Sequence, residues 1–494
     1  MKPNYTVHKT PTFRVLGDDQ LYEIHLSVLE VLERTGIVVQ HEEARQLLKK
    51  AGCRFDGNRA RYPSRLVERC IESAPSRVVV YDRNKGPAMH LESTKIHFGM
   101  GSDTVYAYDP NTGGLKKSEA ADVANAARVA DACKNIDFLM SLGIVHDVSQ
   151  SVNDLVQFQQ MVENSTKPIC FTAHHRKNLK AIIDMAAAVA GGLEALQINP
   201  FIIHYSEPNS PLMLTETALD KVLLCSELKI PLLFTPGSMT GGTAPATRAG
   251  ALVISVAESL AGLVVHQLKN EGSPIISGGN SMVMDLMTTI CSYGAPEFHL
   301  VIAGYSELFH YYKLPVWGFA GCSDSHVLDE QAAIEATFSI MMNAMAGTNL
   351  IHDVGYLSSG LTGSCEMIVM SDEIIGMVKR MLRGIPVDRE SLATDVIDRV
   401  GPGGHFLMED HTLRHMRSEF WRPRLLNRDP LEIWQNKGAK PLRERLNERV
   451  REILSEHTAE PLPKETRQRF SQIIAEAAEA ARAAEAEKAE KAGL

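Results

Sequence analysis

The chain has 494 residues, 44% of them apolar and 22% charged, with a formal net charge of −9. That length accommodates one core of about 250–300 residues with flanking elements, or two ordinary domains. Lysine and arginine form no runs, which excludes a nucleic-acid footprint, and "MKPNYTVHKTPTFRVLGDDQ" lacks the apolar stretch of a secretory leader.

In chain order, "QLYEIHLSVLEVLERTG" predicts a helix whose apolar residues share one face and which stops at Gly36. Shorter helical patterns follow at "EEARQLLKKAG" and "PSRLVERCIESA", then strand patterns at "RVVVYD" and "KIHFGMGSDTVYAYDP". These elements read as a cap over residues 1–130. From residue 137 short apolar strands recur at "DFLMSLG", "PICFTAHH", "PFIIHYSEP", "PLLFTPGSM", "PIISGGN", "LPVWGFAG" and "NLIHDVGYL". Helical stretches such as "NLKAIIDMAAAVAGG", "ETALDKVLLCSELK" and "LVISVAESLAGLVVHQLKNEG" alternate with them, the signature of a parallel sheet. The expected fold is α/β, a TIM (β/α)8 barrel over 131–400 with an N-terminal α/β cap and a C-terminal helical extension over 401–494. The eighth strand falls either at "KIHFGMG" or within "GHFLMED", and an open doubly wound sheet is the alternative. No GxGxxG follows the first strand, which argues against nucleotide binding. "AIIDMAAAVAGGLEAL" is too short and too charged to span a membrane, and no apolar run reaches that length. The Ala/Glu/Lys-rich end reads as a solvated helix or as a helix for a partner.

In a barrel of this kind the reactive groups sit at the C-terminal strand ends. Those ends carry His146 and Asp147; His174, His175 and Arg176; His204, Tyr205 and Glu207; Ser238; Asn280; Trp317, Phe319, Cys322, Asp324 and His326; and His352, Asp353 and Tyr356. Tyr106, Tyr108 and Tyr293 join from adjoining loops. Each has a plain structural reading, since a lone histidine is usually hydrogen-bonded scaffold and a lone ring usually a plug; recurrence over several strands favours function. HxH and HExxH are missing, and "HTLRH" (His411, His415) shows no third ligand, so no metal is expected. The eight cysteines form no CxxC pair, which predicts a reducing, cytoplasmic setting, and no GxSxG elbow offers a serine nucleophile. A glycosidase pair would have only Glu207 and Asp353. Aromatic rings with a few acids suit a permanently charged ammonium group, at about 0.5–2 kcal/mol per ring.

The runs "GFAGCSDSHVLDEQAA", "MAGTNLIHDVGYLSSGLTGS", "SYGAPE" and "VGPGGHFLMEDHTLRHMRSEFWRPRLLNRD" resemble the trimethylamine:corrinoid methyltransferase family over nearly the whole chain, to about residue 450. The resemblance implies a TIM barrel and a cytoplasmic enzyme that passes a methyl group to the cobalt of a separate corrinoid protein. The archaeal trimethylamine enzymes carry pyrrolysine, which this chain lacks. It therefore resembles the non-pyrrolysine branch, whose members demethylate quaternary amines such as glycine betaine, proline betaine or carnitine.

Under that reading Tyr106, Trp317, Phe319 and Tyr356 cage the ammonium head, with Tyr205 and Tyr293 as further aromatic wall. His352, His204 and Arg176 hold a substrate carboxylate. Asp324 and Asp353 orient these groups or balance charge, so that Asp324, His352 and Asp353 form the catalytic set. No cofactor is held tightly, cobalamin arriving on the partner protein, and neither nucleic acid nor membrane is a partner; a homo-oligomer is expected. The rivals are a metal- or acid/base-dependent TIM-barrel lyase or hydrolase, and a non-catalytic betaine-binding protein.

Overall fold

The computed structural model describes residues 10–491, with side chains to residue 486. At its centre lies a seven-stranded parallel sheet of β1 (His97–Met100), β2 (Ile169–Phe171), β3 (Ile202–Ser206), β4 (Leu232–Phe234), β5 (Ile275–Gly278), β6 (Val316–Phe319) and β7 (Leu350–Val354), in the order β1-β7-β6-β5-β4-β3-β2. Almost every strand residue is buried, as expected for parallel strands covered on both faces. Helices Arg176–Ala190, Glu216–Leu228, Arg248–Lys269, Pro296–Tyr311, Glu330–Ala346 and Cys365–Leu382 follow β2 to β7 in turn. Loops leaving the C-terminal strand ends therefore gather along one rim.

The two edge strands are each tied to one short segment: isolated parallel bridges join Gly99 of β1 to Phe138, and Leu139 to Ile169 of β2. "KIHFGMG" supplies a full strand, "DFLMSLG" only these bridges, and "GHFLMED" no strand. β1 thus comes from within the stretch read as cap.

One expectation is corrected here. Helix Arg248–Lys269 spans 22 residues, and an 18-residue stretch within it has a mean hydropathy of 1.7, long and apolar enough to cross a membrane. Most of it is buried, against the sheet on one side and helices Asp18–Glu30 and Ser64–Ser73 on the other, and a helix covered all round is apolar all round. The C-terminal helix Lys464–Lys491 buries Phe470 and Ile473 where it packs on Arg176–Ala190, and no described residue of the Ala/Glu/Lys-rich end that follows is buried.

Candidate active site

β7 carries the central irregularity. Its ladder to β1 slips by one residue: Ile351 pairs with Phe98 and Val354 with Met100, so two residues of β7 oppose one of β1. The extra residue is accommodated by Asp353, held at φ 92°, a conformation that L side chains rarely adopt. In a regular strand His352 and Asp353 would face opposite sides. The bulge turns them together, and His352 Nδ1 stands 2.8 Å from Asp353 Oδ1, an ionic contact without aligned hydrogen-bond geometry. Both are buried, and no protein atom among the described residues hydrogen-bonds either Asp353 oxygen. Burial raises the Asp353 carboxyl above its ordinary value, with His352 partly opposing the rise.

Rings surround this pair. The His352 imidazole stacks on Trp317 at 4.2 Å and meets Phe319 edge-on at 4.7 Å. Trp317 also packs against Phe138 and Tyr205, at 6.1 and 6.0 Å. Space for it exists because Gly278 next door has no side chain; a Cβ there would lie 2.8 Å from the Trp317 carbonyl oxygen. Tyr356 donates to and accepts from the backbone of Ser102. The Tyr293 and Tyr356 rings flank Gly360, where an added Cβ would touch both. Burial lifts the Tyr205, Tyr293 and Tyr356 phenols well above their usual range, so all three remain neutral.

Two further buried carboxyls neighbour these rings: Asp103 acts electrostatically on Tyr356, and Glu207 on Tyr205. Asp103, in the loop after β1, accepts from Gln157 Nε2 and Thr172 Oγ1, both at 3.2 Å, and is itself at φ 56°. Glu207, after β3, accepts from the Tyr205 hydroxyl at 3.1 Å. Burial raises both carboxyls. The nearby Lys221 ammonium donates to the Ala173 carbonyl, and burial lowers it. Burial pushes the Cys291 thiol up to about 12 and raises the Cys322 thiol well above its usual range, which disfavours either as a nucleophile.

Several expected roles change with this geometry. His204 lies on the opposite face of β3 from Tyr205, its ring 5.1 Å from Phe171 beneath helix Asn153–Asn164, so it cannot meet a substrate at the rim. Arg176 is turned toward helix Glu216–Leu228, donating to the Asp220 carbonyl at 2.9 Å with Glu227 3.7 Å away. Of the three groups expected at a carboxylate, only His352 lies among these rings. Trp317 and Phe319 are buried floor rather than accessible wall, and Tyr106 is exposed on the rim. Asp324 accepts from Ser292 Oγ, Ser359 Oγ and the amides of Tyr293 and Gly294, at 2.6, 2.8, 2.9 and 2.9 Å. Four donors saturate a carboxylate, which makes Asp324 a positioning residue. Asp103 escaped the sequence reading because "GMGSD" reads there as the interior of one strand pattern, "KIHFGMGSDTVYAYDP". Among the described residues, no group of histidine, cysteine and carboxylate ligands at this rim has metal-binding geometry.

Residues 1–481 match the family model described as "Trimethylamine methyltransferase (MTTB)". The chain is 34% identical to "Trimethylamine methyltransferase MttB" of Desulfitobacterium hafniense (strain DSM 10664 / DCB-2), the alignment covering 93% of each chain. It is 29% identical to "Glycine betaine methyltransferase" of Desulfitobacterium hafniense (strain Y51), over 94% of this chain and 97% of that one. The fold is similar to that in the crystal structure of the hydroxylamine MtmB complex, with a TM-score of 0.51, 11% identity, and 90% and 88% of the two chains covered.

Proposed function

We propose that this chain, a methyltransferase belonging to the trimethylamine methyltransferase (MTTB) family, moves a methyl group from a quaternary amine to Co(I) of a separate corrinoid protein. The observation that carries the reading is the His352–Asp353 pair, seated on Trp317 and walled by neutral tyrosines. We assign with it a (β/α)8 barrel, supported by the bridges of residues 138–139 to both sheet edges, flanked by the cap and the C-terminal extension. The eight free thiols support a cytoplasmic setting.

A quaternary nitrogen leaves as a neutral amine, so no group need supply a proton. Tyr205, Tyr293 and Tyr356 hold the ammonium head against their faces, and Asp353, Asp103 and Glu207 balance its charge. That charge fades in the transition state, so these groups act mainly on binding; rate comes from aiming one methyl outward and excluding water. The corrinoid, when docked, supplies the cobalt nucleophile. What this chain presents to its carrier is an apolar rim: Tyr106, Leu286, Met287, Val327 and Leu361 are exposed on loops that follow the strand ends.

Glycine betaine, proline betaine and carnitine are the first candidates. Three acids against Lys221 and His352 also favour a second reading, an N-methyl cation without a carboxylate. The test is amine-dependent loss of cob(I)alamin absorbance with betaines, choline and trimethylamine. Quaternary amines are expected to react and trimethylamine not, because a quaternary nitrogen always leaves as a neutral amine, whereas trimethylamine that passes its proton to a buried carboxylate such as Asp353 would have to expel an amide anion. Comparable turnover of trimethylamine would overturn the quaternary assignment, and tight betaine binding without transfer would restore the binding-protein reading.

A further inference from the structure

We propose that Glu390, His411 and His415 form a structural site for a borderline divalent cation, zinc first, in the C-terminal extension. His411 and His415 lie one turn apart on helix Asp410–Glu419, their ring centroids 4.3 Å apart. The third group, invisible in "HTLRH" itself, comes from the short helix Arg389–Leu392: His415 Nε2 lies 3.1 Å from Glu390 Oε1. One ligand atom from each residue falls within 4.8 Å of the other two, so modest side-chain rotation closes a three-ligand set. His411 Nε2 is 3.1 Å from the Glu390 carbonyl oxygen. Donation there leaves Nδ1 with a bare lone pair, the arrangement in which a ligating imidazole is held by its other nitrogen.

The surroundings give such an ion a purpose. Helices Arg389–Leu392, Asp410–Glu419 and Leu431–Asn436 bury no residue, and Thr394–Val400 buries only Val396. Elements without an apolar core gain folding free energy from a cross-link, and two histidines with a carboxylate suit zinc, water completing the tetrahedron. Helix Cys365–Leu382 starts beside the C-terminal rim and runs 18 residues back along the sheet before this segment begins, so the ion is remote from methyl transfer. Arg414, 2.9 Å from Glu390 Oε1, competes for the carboxylate and must yield when the cation binds.

The test uses the full chain, stripped with chelator and dialysed against zinc chloride. One zinc per chain is expected, with affinity reduced about tenfold or more by His415→Asn or His411→Asn and increased by Arg414→Gln. Zinc should also protect residues 383–436 from limited proteolysis in the parent chain and not in His415→Asn. Zinc uptake equal in parent and His415→Asn, or a cleavage pattern indifferent to zinc, would overturn the proposal. Neither readout depends on the methyl donor.

Discussion

Asp353 combines a left-handed backbone, complete burial and a carboxylate without hydrogen-bond donors. Each is a cost, the backbone alone about 1–3 kcal/mol, and such costs persist where function needs them. Because the folded carboxyl is raised, its contribution to stability is full below the unfolded value of about 3.9 and is lost as pH rises through the folded value. In its ionised form the group therefore opposes folding. Asn tolerates positive φ and carries no charge, so Asp353→Asn should stabilise the protein at pH 7 by about 1–3 kcal/mol while cutting methyl transfer about 100-fold. Urea denaturation at two pH values and the cobalamin assay check both halves. Unchanged turnover would remove Asp353 from the site.

The elements around it are held by Asp324, whose four hydrogen bonds join the hairpin residues Ser292–Gly294 to the loop at Ser359. Asp324→Asn turns acceptors into donors facing donors. It should cost about 1.5–3 kcal/mol, raise KM, and speed amide exchange at residues 291–294 and 358–360. Exchange confined to other regions would contradict the latch. The strand order of chemistry was legible because apolar runs ended in His, Asp or Tyr. Which side each residue faced was not, because these strands are buried on both faces and carry no polar alternation. Hence Tyr205, against Trp317, and its neighbour His204, against Phe171, read as one group although they face opposite sides of the strand. Arg176 begins a helix, and its long side chain follows the neighbouring helix, which no local pattern reveals. The 138–139 segment looked like a full strand although only two of its residues bridge.

For the whole molecule the main electrostatic fact is local rather than global. Asp103, Glu207 and Asp353 are all raised by burial, and a bound cation would oppose each rise. A quaternary ammonium ligand should draw these carboxyls back toward the ordinary range, and binding should release protons and tighten as pH rises. Calorimetry in buffers of different ionisation heat measures the number released. Binding with no proton release would mean the acids are already charged or do not face the ligand.

The slip in β7 also separates folding from chemistry at the level of the gene. Two residues oppose one only because a single amino acid is in excess, so losing one in-frame codon, that of Asp353, lets His352 pair with Gly99 and restores an unbroken ladder. The encoded protein should be at least as stable as its parent and inert toward methyl donors. A truncated allele of this kind would leave abundance intact while abolishing turnover, a lesion invisible to any screen that reads expression.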